Sequence, residues 1–156
     1  MSTNPTTAGA LTVRRRSIVA SAALYLGALG VLGTGVVHIQ QYYAADYSTV
    51  PTIGTLFFLN FVSAVILTAG LITPLGRIAG RNANAVRALF AVGGIGLGVL
   101  SLVALFISES SGLFGFVENG YRTPIVLAIV AEVAAAVFLA VFLAARGIQD
   151  IQTRAR

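Results

Sequence analysis

The sequence predicts an all-α fold: an integral membrane four-helix bundle with both termini in the cytoplasm. Three observations predict it. First, four stretches reach the ~20 consecutive apolar residues that a helix needs to cross a bilayer; they cover about 17–37, 53–73, 88–107 and 124–145. Second, three of these stretches carry no charge and the fourth carries one, Glu132. Third, nine of the ten arginines fall on one side of a chain with four spans, and only Arg122 falls on the other. Such an excess marks the cytoplasmic side.

Composition removes several function classes. Hydrophobic residues make up 57% of the chain and charged residues 10%, against roughly 25% charged in a soluble domain. A soluble globule is therefore excluded as an expectation. The net charge of +5 does not imply nucleic acid as a partner, because the ten basic residues, all arginine, stand in small scattered groups. There is no cysteine, which removes disulfides, thiolate metal sites and thiol redox chemistry.

Taken in order, residues 1–16 read as a disordered cytoplasmic segment, rich in Thr, Ser, Asn and Ala up to Val13 and then Arg14, Arg15 and Arg16. The arginines followed by an apolar run resemble the start of a secretory signal. The run is long for an h-region and no small-x-small cleavage site follows it, so a retained helix is expected. Its small residues Ala23, Gly27, Gly30 and Thr34, with His38, recur at helical spacing. The second span carries Asn60, Ala64 and Thr68 in the same way, and the third carries Gly94, Gly98, Ser101 and Ser108. The fourth has Ala128, Glu132, Ala136, Ala140 and Ala144 at intervals of four. Helices in lipid associate through small residues, so four such faces predict a compact bundle over 17–145. Residues 146–156 read as a short cytoplasmic tail. Tyr42, Tyr43, Tyr47 and Tyr121 fall near the outer ends of the spans, where an aromatic belt belongs.

The second and fourth spans open alike. Pro51 follows Tyr47 and precedes Asn60, while Pro124 follows Tyr121 and precedes Glu132. A parallel duplication of two hairpins and shared chemistry of membrane entry both account for this.

Glu132 is the leading candidate for a site. An acidic residue at a helix centre costs about 2.5–3.5 kcal/mol on the insertion scale, and the branched and aromatic residues of the fourth span offset about 5 kcal/mol. The helix can insert, but the carboxyl needs a partner or a role. At 1.5 Å per residue, Glu132 lies roughly 12 Å below the outer boundary, Asn60 about 13 Å and Ser101 about 10 Å. The three can share one layer, either as a proton or ligand site or as hydrogen bonds that fix helix register. His38 is the single histidine. It reads as an interfacial hydrogen-bonding residue, because no metal-ligand spacing links it to Asp46, Glu109 or Glu118; no metal and no cofactor is expected. The last outer loop holds Phe114, Phe116, Glu118 and Tyr121 in an apolar setting. It is expected in the membrane interface, over the bundle mouth, or against another protein.

The run from Pro51 to Asn60, with the later Gly112-Leu-Phe-Gly-Phe116 and Tyr121-Arg-Thr-Pro124, resembles small four-span membrane proteins of high-GC Gram-positive (actinobacterial) bacteria. That resemblance covers most of the chain and implies a plasma-membrane location; it brings no functional residues. The topology is also similar to that of DoxX-like four-helix proteins, without a diagnostic motif in common.

No phosphate-cradling glycine loop, G-x-S-x-G or H-E-x-x-H stands in the sequence, so the chain is expected not to be an enzyme. The first functional expectation is an accessory or assembly subunit that binds other membrane proteins, in a respiratory or other large complex, or self-associates within the bilayer. The second is a small transporter, channel or lipophilic-ligand binder that uses Glu132, Asn60, Ser101 and His38. The third is a quinone- or haem-linked redox component.

Overall fold

A computed structural model describes the backbone of residues 5–118, 120 and 122–154, and the side chains of 14, 15, 17–118, 120 and 122–147. It is all-α. Four helices follow one another: α1 (Pro5–Ala44), α2 (Ile53–Ile72), α3 (Ala83–Ser110) and α4 (Thr123–Arg154). Each contains a stretch long and apolar enough to cross a membrane. Short 3-10 turns at Tyr47–Thr49, Leu75–Arg77 and Gly80–Asn82 join them, and among the described residues there is no strand, only an isolated bridge between Leu113 and Phe116.

α1 differs from expectation at both ends. It begins at Pro5, so the backbone of 5–16 is helical where a disordered segment was expected. Proline is pre-organised for a first helical position, and Ala8, Ala10, Leu11 and the arginines are good helix formers that extend a helix already nucleated downstream. At its other end α1 continues from Val37 through His38, Gln40 and Gln41 to Ala44. These polar residues end an apolar run, but none of them breaks a helix as Gly or Pro does. α4 likewise runs on to Arg154, into the segment read as a tail.

The helices pack in a ring, each against its two neighbours. α1 lies most extensively on α4 and then α2, α3 lies on α4, and α2 meets α3 least. Close approach sets the α1–α4 seam. A Cβ added to Gly30 would lie 2.7 Å from the Ala135 amide nitrogen and 2.9 Å from the Ala131 carbonyl oxygen. Leu24, Ala28, Val31, Ala64, Leu71, Ala91, Ala135, Leu139 and Phe142 form the core of this seam and its neighbours.

The small-residue faces expected on α1, α2 and α3 are those that pack: Gly30, Thr34, Asn60, Ala64, Thr68, Gly94, Gly98 and Ser108 are buried. The stripe expected on α4 is corrected. Ala136 is half-buried and Ala140 and Ala144 are exposed, whereas Ile125, Glu132, Ala135, Leu139 and Phe142 are buried. A strict four-residue step advances about 40° round a helix of 3.6 residues per turn. Four such steps therefore carry the stripe away from the seam, and a packed face alternates steps of three and four.

The two ends of the bundle differ. The α2–α3 connection carries Arg77 and Arg81, and beside it Arg87 donates to the Thr73 carbonyl at 2.7 Å and Arg146 to Asn84 at 2.5 Å. The opposite end, formed by the α1–α2 and α3–α4 connections, is the mouth of a cavity.

Candidate functional site

The buried carboxyl of α4 is the floor of the site. Glu132 is 2% exposed, because α3 approaches it without a side chain in between: a Cβ on Gly98 would lie 3.0 Å from the Glu132 carbonyl oxygen. One turn further along α3, Ser101 brings its hydroxyl beside the Glu132 carboxyl. Its Oγ accepts from Nδ2 of Asn60 on α2 at 2.7 Å. A hydrogen bond thus joins α2 to α3 beside the carboxyl of α4, and the three residues that depth counting placed in a layer are brought together. Asn60 is 7% exposed, and its Oδ1 has no hydrogen-bond partner.

Above this layer lies a cavity of about 300 Å³. Its walls are mostly apolar, drawn from Phe57, Leu97, Leu105, Ile125 and Ala128 among others, with Asn60, Ser101 and Glu132 as its polar patch. That volume and lining suit a small organic ligand. Among the described residues no group of three or more His, Cys, Asp or Glu side chains converges as metal ligands would.

α1 supplies a second polar edge. His38 lines the cavity and its ring tilts against Phe57 at 4.8 Å between centroids. Its Nδ1 lies 2.9 Å from the Thr34 carbonyl oxygen, an acceptor, which assigns the proton to that nitrogen. One turn on, Gln41 is buried; its Nε2 donates to Gln40 at 2.6 Å and its Oε1 has no partner.

The α3–α4 loop covers the mouth. Leu113 and Phe116 exchange backbone hydrogen bonds at 2.8 and 2.9 Å around Phe114 and Gly115. Both central residues have positive φ, 52° and 80°, as a type I′ turn requires. Ser108 anchors this hairpin: its Oγ donates to the Phe116 carbonyl at 3.3 Å and accepts from the Glu118 amide at 3.1 Å. Leu113, Phe116 and Glu118 then face the cavity, while Phe114 at the tip is 68% exposed. Of the loop positions singled out in the sequence, Phe116 and Glu118 belong to the site and Phe114 points away from it. Tyr121 lies outside the described residues.

A clasp closes the loop onto the α1–α2 turn. The Tyr47 hydroxyl donates to Glu118 Oε2 and accepts from Arg122 at 2.7 Å, and Arg122 pairs with Glu118 at 3.1 Å. Tyr47 also packs edge-on against Phe57 and Phe116 at 4.8 and 5.3 Å. Burial, with help from the Glu118 acceptor, pushes the Tyr47 phenol up to about 12. The hydrogen bond to Glu118 leads the causes that hold Arg122 above its ordinary value. Sequence reading placed Tyr47 in an aromatic belt and missed the clasp. The available signal was Arg122, the lone arginine outside the positive end, four residues after Glu118.

Fold and site together define a class: an apolar four-helix bundle with a lidded, mostly greasy cavity and a buried carboxyl at its floor. No family model matches the chain, and no curated protein or solved structure matches it either.

Proposed function

We propose that this chain binds a lipophilic small molecule within the plasma membrane, with both termini in the cytoplasm and the cavity in the outer half of the bilayer. The cavity of about 300 Å³ above Asn60, Ser101 and Glu132 carries the reading. A carboxyl used only to fix helix register is best packed without space beside it. Here the polar patch faces a void that an organic molecule can fill. The arginine asymmetry supports the orientation, since Arg77, Arg81, Arg87 and Arg146 gather at the end opposite the mouth.

The accessory-subunit reading draws less support from the fold. The small-residue faces that motivated it on α1, α2 and α3 pack inside the chain, with Gly30 and Gly98 against α4 and Ala64 of α2 against Gly35 of α1. Native mass spectrometry of the protein released from membranes tests the binding role. The wild type is expected to retain a small molecule that Ala128→Phe, which places a ring in the cavity, does not retain. A wild type that flies bare and binds no lipophile saturably overturns the proposal.

A further inference from the structure

The cavity is not sealed on its flanks. α2 and α3 are in contact towards the arginine end, where Phe90 lies over Gly70 and a Cβ on Gly93 would meet Leu67 at 2.7 Å. Towards the mouth Asn60 still reaches Ser101 across them at 2.7 Å, and beyond that pair both helices line the cavity. The flank of α2 that carries Phe61 and Ala64 is seated on α1 at Gly35; the other flank carries Leu56, Leu59 and Ser63, which line the cavity. Leu59 and Leu100 form part of the cavity wall and are also 50% and 70% exposed on the outside of the bundle. A residue that is both wall and outer surface marks an opening, and this one faces the region that lipid tails occupy in a spanning bundle.

The polar atoms inside select the ligand's head. Asn60 and Gln41 belong to the cavity lining and are more than nine-tenths buried, and their acceptors Oδ1 and Oε1 have no partner. Their amide nitrogens already donate, to Ser101 and Gln40. The Glu132 carboxyl lies beside Ser101 in the same lining. Unsatisfied buried acceptors are costly until a donor arrives. Neutral amide oxygens match a neutral hydroxyl, whereas a cation would answer to the Glu132 carboxyl instead.

We propose that the ligand enters sideways from the bilayer between α2 and α3, and that it is a long-chain amphiphile whose neutral head donates hydrogen bonds, an alcohol or a phenol. This rests on the binding role proposed above.

The test uses the full chain in phosphatidylcholine nanodiscs with dodecanol, dodecyl methyl ether, dodecane and dodecylamine as probes. Dodecanol is expected to bind about tenfold more tightly than the ether, the free-energy scale of one unmade hydrogen bond. Asn60→Leu combined with Gln41→Leu is expected to erase that preference while dodecane binding persists. For the route, the chain has no cysteine, so Leu59→Cys and Val130→Cys each give a single labelling position, at the opening and on an exposed face of α4. A bulky maleimide at Leu59→Cys is expected to slow dodecanol entry about tenfold or more, an obstruction worth at least ~1.4 kcal/mol, and at Val130→Cys to leave it unchanged. Equal binding of all four probes, or tightest binding of the amine, overturns the assignment of the head and leaves the binding role standing. Equal entry rates for the two labelled variants overturn the route. Saturable binding of none of the probes sinks the binding role itself.

Discussion

Gly98 and Glu132 meet backbone to backbone: a Cβ on Gly98 would lie 3.0 Å from the Glu132 carbonyl oxygen. The absence of a side chain on α3 is what lets Ser101, one turn away, reach the carboxyl of α4 and Asn60 of α2. Close helix packing and the polar layer are one feature.

Gly98→Val is therefore expected to destabilise the bundle by about 1–3 kcal/mol, the usual cost of overpacking, and to part Ser101 from Glu132. Gly96, two residues away, has nothing within 4 Å of a Cβ. Gly96→Ala is expected to be neutral or to stabilise by up to about 1 kcal/mol through helix propensity. Thermal unfolding in mild detergent, run on both variants, checks the contrast. Equal effects would mean that backbone approach at Gly98 does not limit the fold.

Much of this architecture is legible in the sequence, for physical reasons that also mark where legibility stops. Helix existence follows from apolar length, and rise per residue places Asn60, Ser101 and Glu132 at one level, because depth depends only on counting. Rotation is less forgiving. The α4 stripe through Ala140 and Ala144 drifts off the seam because small errors in angular step accumulate, whereas the shorter α2 stripe from Asn60 to Thr68 stays on it. The Tyr47–Glu118–Arg122 clasp joins residues more than 70 positions apart, and no periodicity relates two loops. The cavity is a void, which depends on how all four helices splay and leaves no local mark.

At Glu132 two replacements of similar size separate polarity from bulk. Glu132→Gln keeps a polar side chain beside Ser101 and is expected to unfold within about 1 kcal/mol of the wild type. Glu132→Leu puts an apolar side chain beside the buried Ser101 and Asn60 pair and is expected to cost about 1–3 kcal/mol. Denaturation curves in detergent check this. A Glu132→Leu variant at least as stable as the wild type would show that the polar layer does not hold the helices together.

The clasp gives the mouth an alkaline limit. The Tyr47 phenol is raised from its ordinary value of 10 to about 12 in the fold. The folded state thus holds this proton more tightly than the unfolded state does. Its contribution to stability is complete below pH 10, falls as the pH rises above that, and is lost by about pH 12. A tyrosinate absorbance titration is expected to show one late-ionising phenol that Tyr47→Phe removes. If the late step survives in Tyr47→Phe, the clasp does not protect this hydroxyl.

The loop tip carries the last prediction. Phe114 has φ of 52° at the first central position of its turn, a conformation that costs an L-residue with a Cβ roughly 1–2 kcal/mol. Asparagine tolerates that conformation far better and is common in type I′ turns. Phe114 is also 68% exposed, so within the chain its ring makes little contact to set against the strain. On the turn alone, Phe114→Asn is expected to stabilise the protein in detergent by about 1 kcal/mol. A contact beyond the chain, with the membrane interface or another protein, would offset that strain. The same variant is then expected to lose its gain when measured in lipid nanodiscs instead of detergent. A stability increase of equal size in both media would leave Phe114 with no contact beyond the chain, and the loop with the lid as its sole role.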